Sequence, residues 1–302
     1  YYERVARKRF QGKLPLPKLH PFEAPSFTMD GDGSRKAFKF TNSLGIQIAT
    51  YHWSPPSPKA VVMYVHGLDS SAEVELSNLL ELPKVQYKGS FAEKLVEAGF
   101  SVWSMDNNGH GKSDSVVSGV RGACMDFDDY VDDLVSFQGI VAKQQPQLPF
   151  FVVGSSMGGT LCLRLSELVS DKIVASVALC PAVKFEKAKA KPINKILFPL
   201  VDVVSKHFPL LAVGDKDPHP DPKIFAWMHA SDSPFNRNRL RARMATEFMR
   251  SAEVILANVL EIQKPLLLIH APKDTFVDYE GSEIVLATAC NSKAELLSEC
   301  GT

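Results

Sequence analysis

Six residues near the middle of the chain, Gly154-Ser155-Ser156-Met157-Gly158-Gly159, have the types and spacing of a nucleophile turn. An apolar run at 150–153 precedes them and a helical pattern at 157–168 follows. A serine on so sharp a strand-to-helix bend needs small neighbours, because side chains at Gly154 and Gly158 would collide with the adjoining strand and helix. The bend lifts Ser156 Oγ to the carboxyl edge of a sheet, where it can attack a carbonyl carbon. It also aims the Met157 N–H, at the helix start, toward the oxyanion that the attack creates. Ser155 points elsewhere. Without a function, the same residues are a glycine-rich turn with a bystander serine.

A serine alone is a poor nucleophile, so the partners decide the reading. His66-Gly67-Leu68-Asp69 closes the apolar run at 60–65, where a second oxyanion N–H would come from. Leu68 is the candidate donor, and Gly67 lets the backbone turn tightly beside it. His66 precedes the nucleophile in the chain and reads as a loop-shaping, hydrogen-bonded histidine rather than a base. The stretch from Asp106 to Asp114, DNNGHGKSD, follows another apolar run. Gly109 and Gly111 suit a turn there, while Asp106 and His110 hydrogen-bond its backbone. Beyond the run at 265–270, Ala271-Pro272-Lys273-Asp274 supplies Asp274 as the candidate acid that holds a histidine in its working tautomer. Asp278 is the alternative, and either could be a solvated loop carboxylate.

The base should come last, after one more helix and strand, roughly 25 to 30 residues past the acid. The helix (282–290) and the strand (295–300) are legible, yet none of the eight histidines follows His270. Three readings compete: a chain cut short before its histidine, a protein that has lost its base, or a base recruited from elsewhere, such as His229. The first is the expectation, with the C-terminal helix and catalytic-histidine loop missing from these 302 residues, because the chain begins with Tyr1 rather than Met.

Stepping outward, runs at 36–41 and 45–52 predict a hairpin, and runs at 60–65, 100–105, 149–153, 172–180 and 265–270 predict strands. Helical spacing marks 91–98, 126–143, 157–168 and 245–260. Strand alternating with helix predicts an α/β fold, a mostly parallel sheet flanked by helices. The proline-rich stretch at 182–244 breaks the alternation and predicts an inserted helical cap. The expected organisation is an arm or linker at 1–34, the first part of the core at 35–181, the cap at 182–244 and the last part of the core at 245–302. In the cap, Ile196, Leu197, Phe198, Leu200, Val201 and Phe208 could line an acyl channel, touch a membrane surface or simply pack.

Composition bounds the rest. Lys+Arg and Asp+Glu are both 34, which leaves no net charge to draw the chain to nucleic acid. Five scattered cysteines (Cys124, Cys162, Cys180, Cys290, Cys300) suit reduced core thiols, not a disulfide framework, and no motif predicts a metal or a cofactor. No apolar run reaches the ~18 residues of a membrane span. A cytoplasmic chain that touches membranes only peripherally is the expectation.

His66-Gly67, the stretch from Asp106 to Asp114, Gly154 to Gly159 and the late cap together resemble the monoacylglycerol lipase and lysophospholipase branch of the α/β-hydrolases, the serine aminopeptidase S33 type. The resemblance runs from about residue 38 to the end, and the segments 191–209 and 239–258 are similar to plant-type members. It implies a serine esterase acting on acylglycerols, lysophospholipids or related small-molecule esters under a mobile cap. The sequence departs from the pattern twice: Ala271 stands where the family usually has glycine after the histidine, and 71–88 reads as an insertion that alters the rim of the site. Amide, thioester and lactone hydrolysis stay open, as does a catalytically inactive fold used as a binding module.

Overall fold

The computed structural model describes residues 28–29, 35–79, 86–187, 192–213, 240–274, 276–289 and 294–297. Its strands are β1 (Thr28–Met29), β2 (Lys36–Thr41), β3 (Gln47–Trp53), β4 (Ala60–Val65), β5 (Phe100–Met105), β6 (Phe150–Ser155), β7 (Ala175–Leu179), β8 (Leu266–Ile269) and β9 (Ala294–Leu297). Its helices are α1 (Ala72–Leu76), α2 (Phe91–Glu97), α3 (Asp128–Gln144), α4 (Met157–Leu168), α5 (Pro192–His207), α6 (Ala242–Asn258) and α7 (Tyr279–Thr288).

β4, Ala-Val-Val-Met-Tyr-Val, is buried at every position, as a central strand covered on both faces must be. Its alternation feeds two cores. Val61, Met63 and Val65 join Trp103, Leu134, Phe137, Leu161 and Leu165 on the face covered by α3 and α4. Tyr64 joins Val102, Ala72, Leu76 and Ala92 on the face covered by α1 and α2. Burying each of Val61, Met63 and Val65 is worth about 1.5–3 kcal/mol.

The strands form one sheet in the order β1-β2-β3-β5-β4-β6-β7-β8-β9. Pairing is antiparallel from β1 to β5 and parallel from β5 through β9. From β4 the chain moves outward to β5 on one side and then returns to place β6 on the other. At such a reversal the loops beyond the strand ends diverge and leave a crevice. The loops after β4, β5 and β6 all open there, and those after β7 and β8 follow along the same edge.

Most predicted elements lie within two or three residues of the observed ones. Three differ for a physical reason. Residues 28–29, read as part of an arm, pair with Lys36 and Ala37, an element too short to carry a hydrophobic period. Within the 71–88 stretch, Ser71 caps the five-residue α1 by accepting the Val74 N–H at 3.3 Å. And α6 starts at Ala242, inside the expected cap, because Ala242 and Arg243 donate to the carbonyls of Leu211 and Pro209.

Between β7 and β8, α5 packs on α6, and Ser205 Oγ meets Thr246 Oγ1 at 2.8 Å. Leu200, Val203, Phe208 and Leu211 are exposed and Val201 is half-buried. The side chains of Ile196, Leu197 and Phe198 lie outside the described residues. Among the described residues no helix is long and apolar enough to cross a membrane.

Candidate active site

β6 ends at Ser155 and α4 begins at Met157, so Ser156 alone makes the reversal. Its backbone lies at φ 53°, ψ −115°, a conformation that costs a side-chain-bearing residue on the order of 1–3 kcal/mol. Neighbours hold it there: Ser156 N–H donates to the Leu179 carbonyl at 2.8 Å, and its carbonyl accepts the Thr160 N–H at 3.0 Å. The flanking glycines are dictated by space. A Cβ on Gly154 would stand 2.1 Å from the Gly158 carbonyl oxygen, and one on Gly158 would stand 2.0 Å from that of Val65. The Met157 side chain is wholly buried and anchors the start of α4. Being the first residue of α4, Met157 carries an N–H that no carbonyl of its own helix can accept.

The loop after β4 abuts this bend. A Cβ on Gly67 would come within 3.4 Å of Ser156 Cβ. Leu68, the next residue, is half-buried against the main core, and Asp69 has φ 53°. Behind the loop stands Glu75 of α1, which accepts the Gly67 N–H at 2.8 Å and the Tyr64 hydroxyl at 2.8 Å. Burial pushes the Glu75 carboxyl above the usual carboxylate range. Sequence reasoning missed Glu75, since nothing in a stretch read as a rim insertion links a carboxylate to a loop eight residues earlier.

His66 and His110 are buried beside each other, ring centres 5.4 Å apart. His66 Nδ1–H donates to the Gly67 carbonyl at 2.7 Å and Nε2 accepts the Asn107 N–H at 2.9 Å, which joins the loops after β4 and β5. His110 Nδ1–H donates to the Asn108 carbonyl at 3.0 Å. Burial holds the His66 imidazole down to about 4 and that of His110 to about 3, so both are neutral near pH 7. Asp106 is enclosed, accepting from the Tyr51 hydroxyl (2.7 Å), the Lys112 N–H (2.7 Å) and the Ala72 N–H (2.9 Å). Gly111, at φ 48°, leaves it room: a Cβ there would overlap Asp106 Oδ2 at 2.2 Å. Gly109, at φ 76°, makes the other left-handed step of the same turn.

The two candidate acids differ in how their oxygens are used. Asp278 spends its carboxylate on the backbone N–H groups of Glu186 and Lys187, pinning the segment that leaves β7. Among the described residues Asp274 commits only Oδ1, to the N–H groups of Phe276 (2.7 Å) and Val277 (3.0 Å). Its Oδ2 faces His270 Nε2 at 3.5 Å, while His270 Nδ1 meets Ser282 Oγ at 2.7 Å. His270 thus turns one nitrogen to Ser282 and the other toward Asp274. Cys180, at the end of β7 with φ 45°, brings its sulfur into the same cluster. His229 lies outside the described residues.

A family model described as serine aminopeptidase, S33, matches residues 56–298. A monoacylglycerol lipase of Mycolicibacterium smegmatis is 24% identical over 270 residues, covering 87% of this chain and 88% of that protein. The monoglyceride lipase of Homo sapiens is 23% identical over 251 residues, 82% of this chain and 76% of that protein. Among solved structures, a Paleococcus ferrophilus monoacylglycerol lipase superposes with a TM-score of 0.64 at 22% identity, over 83% of this chain and 88% of that one. A soluble variant of the Saccharomyces cerevisiae monoglyceride lipase, in complex with a substrate analogue, gives 0.66 at 17% identity over 94% and 88%. A strained serine bend at the switch point of a mostly parallel sheet and a family model spanning four-fifths of the chain agree: the chain has the α/β-hydrolase fold and belongs to the serine aminopeptidase S33 family, on its monoacylglycerol lipase-like branch.

Proposed function

We propose that this chain is a serine hydrolase that cleaves carboxylic esters of lipid type, monoacylglycerols or lysophospholipids, through an acyl-serine intermediate. The observation that carries the reading is the Ser156 bend, strained, half-buried and abutted by the Gly67-Leu68 loop. Ser156 Oγ attacks the ester carbonyl as a histidine takes its proton. The N–H groups of Leu68 and Met157 hold the oxyanion, worth about 2.7–4 kcal/mol for each donor of this kind. The protonated histidine returns its proton to the departing alcohol, and water then attacks the acyl-serine to release the acid. Asp274 is the acid of this scheme because Oδ2 is left over from its backbone bonds, whereas Asp278 is spent. The segment 182–244 acts as a cap, and its exposed Leu200 and Phe208 suit an acyl chain or a lipid surface. The lipase names of the relatives support the substrate class.

Within the 302 residues no histidine follows His270, so this chain by itself should react slowly. A small base can stand in for the absent ring. Exposed to a fluorophosphonate probe, the chain is expected to label at Ser156 slowly and faster as imidazole is added, and Ser156→Ala is expected not to label. A folded chain that never labels at Ser156, with or without imidazole, would instead favour the second reading, an inert hydrolase fold used as a binding module.

A further inference from the structure

The ends of β7 and β8 bring together three side chains that the serine chemistry does not all use. Cys180, His270 and Asp274 each offer one ligand atom, and these atoms lie within 4.8 Å of one another. Cys180 and His270 directly follow the adjacent parallel strands β7 and β8, whose ends are pinned by Cys180 N–H donating to the Ile269 carbonyl at 2.7 Å. The third is fixed by its own backbone bonds at Oδ1. A sub-5 Å triangle of sulfur, nitrogen and oxygen closes onto an ion with bond lengths of about 2.0–2.3 Å after small side-chain rotations.

A second observation points the same way. His270 is wholly buried, yet among the described residues its Nε2 has no hydrogen-bond partner, and it faces Asp274 Oδ2 at 3.5 Å. Its Nδ1 is held by the buried hydroxyl of Ser282. Metal-binding histidines share this arrangement, one nitrogen oriented by an outer partner and the other left for the ion. Lys187 does not compete for the cluster's oxygen: its ammonium reaches the Asp274 backbone carbonyl at 3.4 Å and Glu280 at 3.9 Å.

We propose that Cys180, His270 and Asp274 form a three-ligand site for a zinc-class divalent cation, with the fourth coordination position open. A mixed sulfur, nitrogen and oxygen set selects zinc over magnesium or calcium, which take oxygen alone. Binding forms the metal–sulfur bond as the Cys180 thiol releases its proton to solvent, so affinity falls as pH falls. Where the hydrolase reading above holds, an ion here takes the Asp274 oxygen that would orient the histidine, and zinc therefore suppresses reaction at Ser156.

Cobalt(II) is the probe, because a thiolate–cobalt bond gives a charge-transfer absorption that oxygen and nitrogen ligands do not. Titrated with cobalt, the chain should develop that band, and zinc should displace it. Cys180→Ser is expected to abolish the band, and His270→Gln and Ser282→Ala to weaken cobalt binding about tenfold or more. Replacing Cys290 and Cys300 together by serine should change nothing. A band that survives Cys180→Ser, or a folded chain that binds no cobalt, overturns the proposal. Should Cys180→Ser fail to fold by circular dichroism, Asp274→Asn serves instead, and unchanged cobalt affinity in that variant is equally fatal. The spectrum does not require Ser156 to react, so a chain that binds cobalt but never takes the fluorophosphonate probe keeps this site and loses the hydrolase reading. The reverse result does the opposite.

Discussion

Ser156 combines the position proposed for the nucleophile with a backbone that only glycine adopts freely. Substituting Ser156 by alanine removes the hydroxyl but keeps the Cβ, so the strain persists, whereas Ser156→Gly removes both. The glycine variant should therefore be more stable than the alanine variant by about 1 kcal/mol, after the extra chain entropy that glycine loses on folding. Urea unfolding of the two variants checks this, and equal midpoints would mean that the bend stores no strain. At this scale the sequence was legible wherever the constraint is local. Gly154 and Gly158 are forced by atoms within four residues or on the touching strand, and their spacing says so. Cys180 and His270 carry no such mark, because only the pairing of β7 with β8 makes them neighbours. Glu75 was hidden because only the packing of α1 behind the loop after β4 brings its carboxylate to the Gly67 N–H.

Helix α6 fixes the segment between β7 and β8 to the core through a group of charges. Glu247, buried, meets Arg250 at 2.6 Å and Arg243 at 3.1 Å and accepts the Phe127 N–H at 3.2 Å; Arg250 also reaches Asp126 at 2.8 Å. Removing the shared carboxylate leaves two cations and a backbone donor short of an acceptor. Because Arg250 keeps 23% of its side-chain surface, the loss for Glu247→Ala belongs at the low end for buried pairs, about 2 kcal/mol. Glu247→Gln should recover part of it by still accepting from Phe127. Chemical denaturation reads both, and an unchanged midpoint in the alanine variant would show that the group contributes nothing. Elements longer than five residues were largely readable, since their apolar residues recur at 2.0 or 3.6 spacing over several turns or pleats. β1 and α1 were not, being too short to show a period.

Across the whole molecule, buried ionisable groups make stability depend on pH in opposing senses. His66 and His110 are neutral when folded, held at about 4 and about 3 by burial, while an unfolded histidine takes a proton near pH 6.5. Between those limits the unfolded chain binds more protons, so this contribution is complete above pH 6.5 and is lost as pH falls. Glu167, pushed up to about 8 by burial, acts the other way, its share declining as pH rises. A paired comparison separates them. Between pH 7.5 and pH 5, wild type should lose about 2 kcal/mol more stability than His110→Gln, and parallel curves would show that His110 ionises alike in both states. The β-α alternation in the sequence made the sheet and its loop-bearing edge legible, but not which loops touch across the reversal at β4. The one-residue junction between β6 and α4 has a consequence for how this chain can diverge. Its length is as tightly fixed as its flanking glycines: a single inserted residue would swing α4 by about 100° about its axis, throwing Leu161, Cys162 and Leu165 out of the core. Insertions and deletions should accordingly collect in the outer loops and spare this pivot.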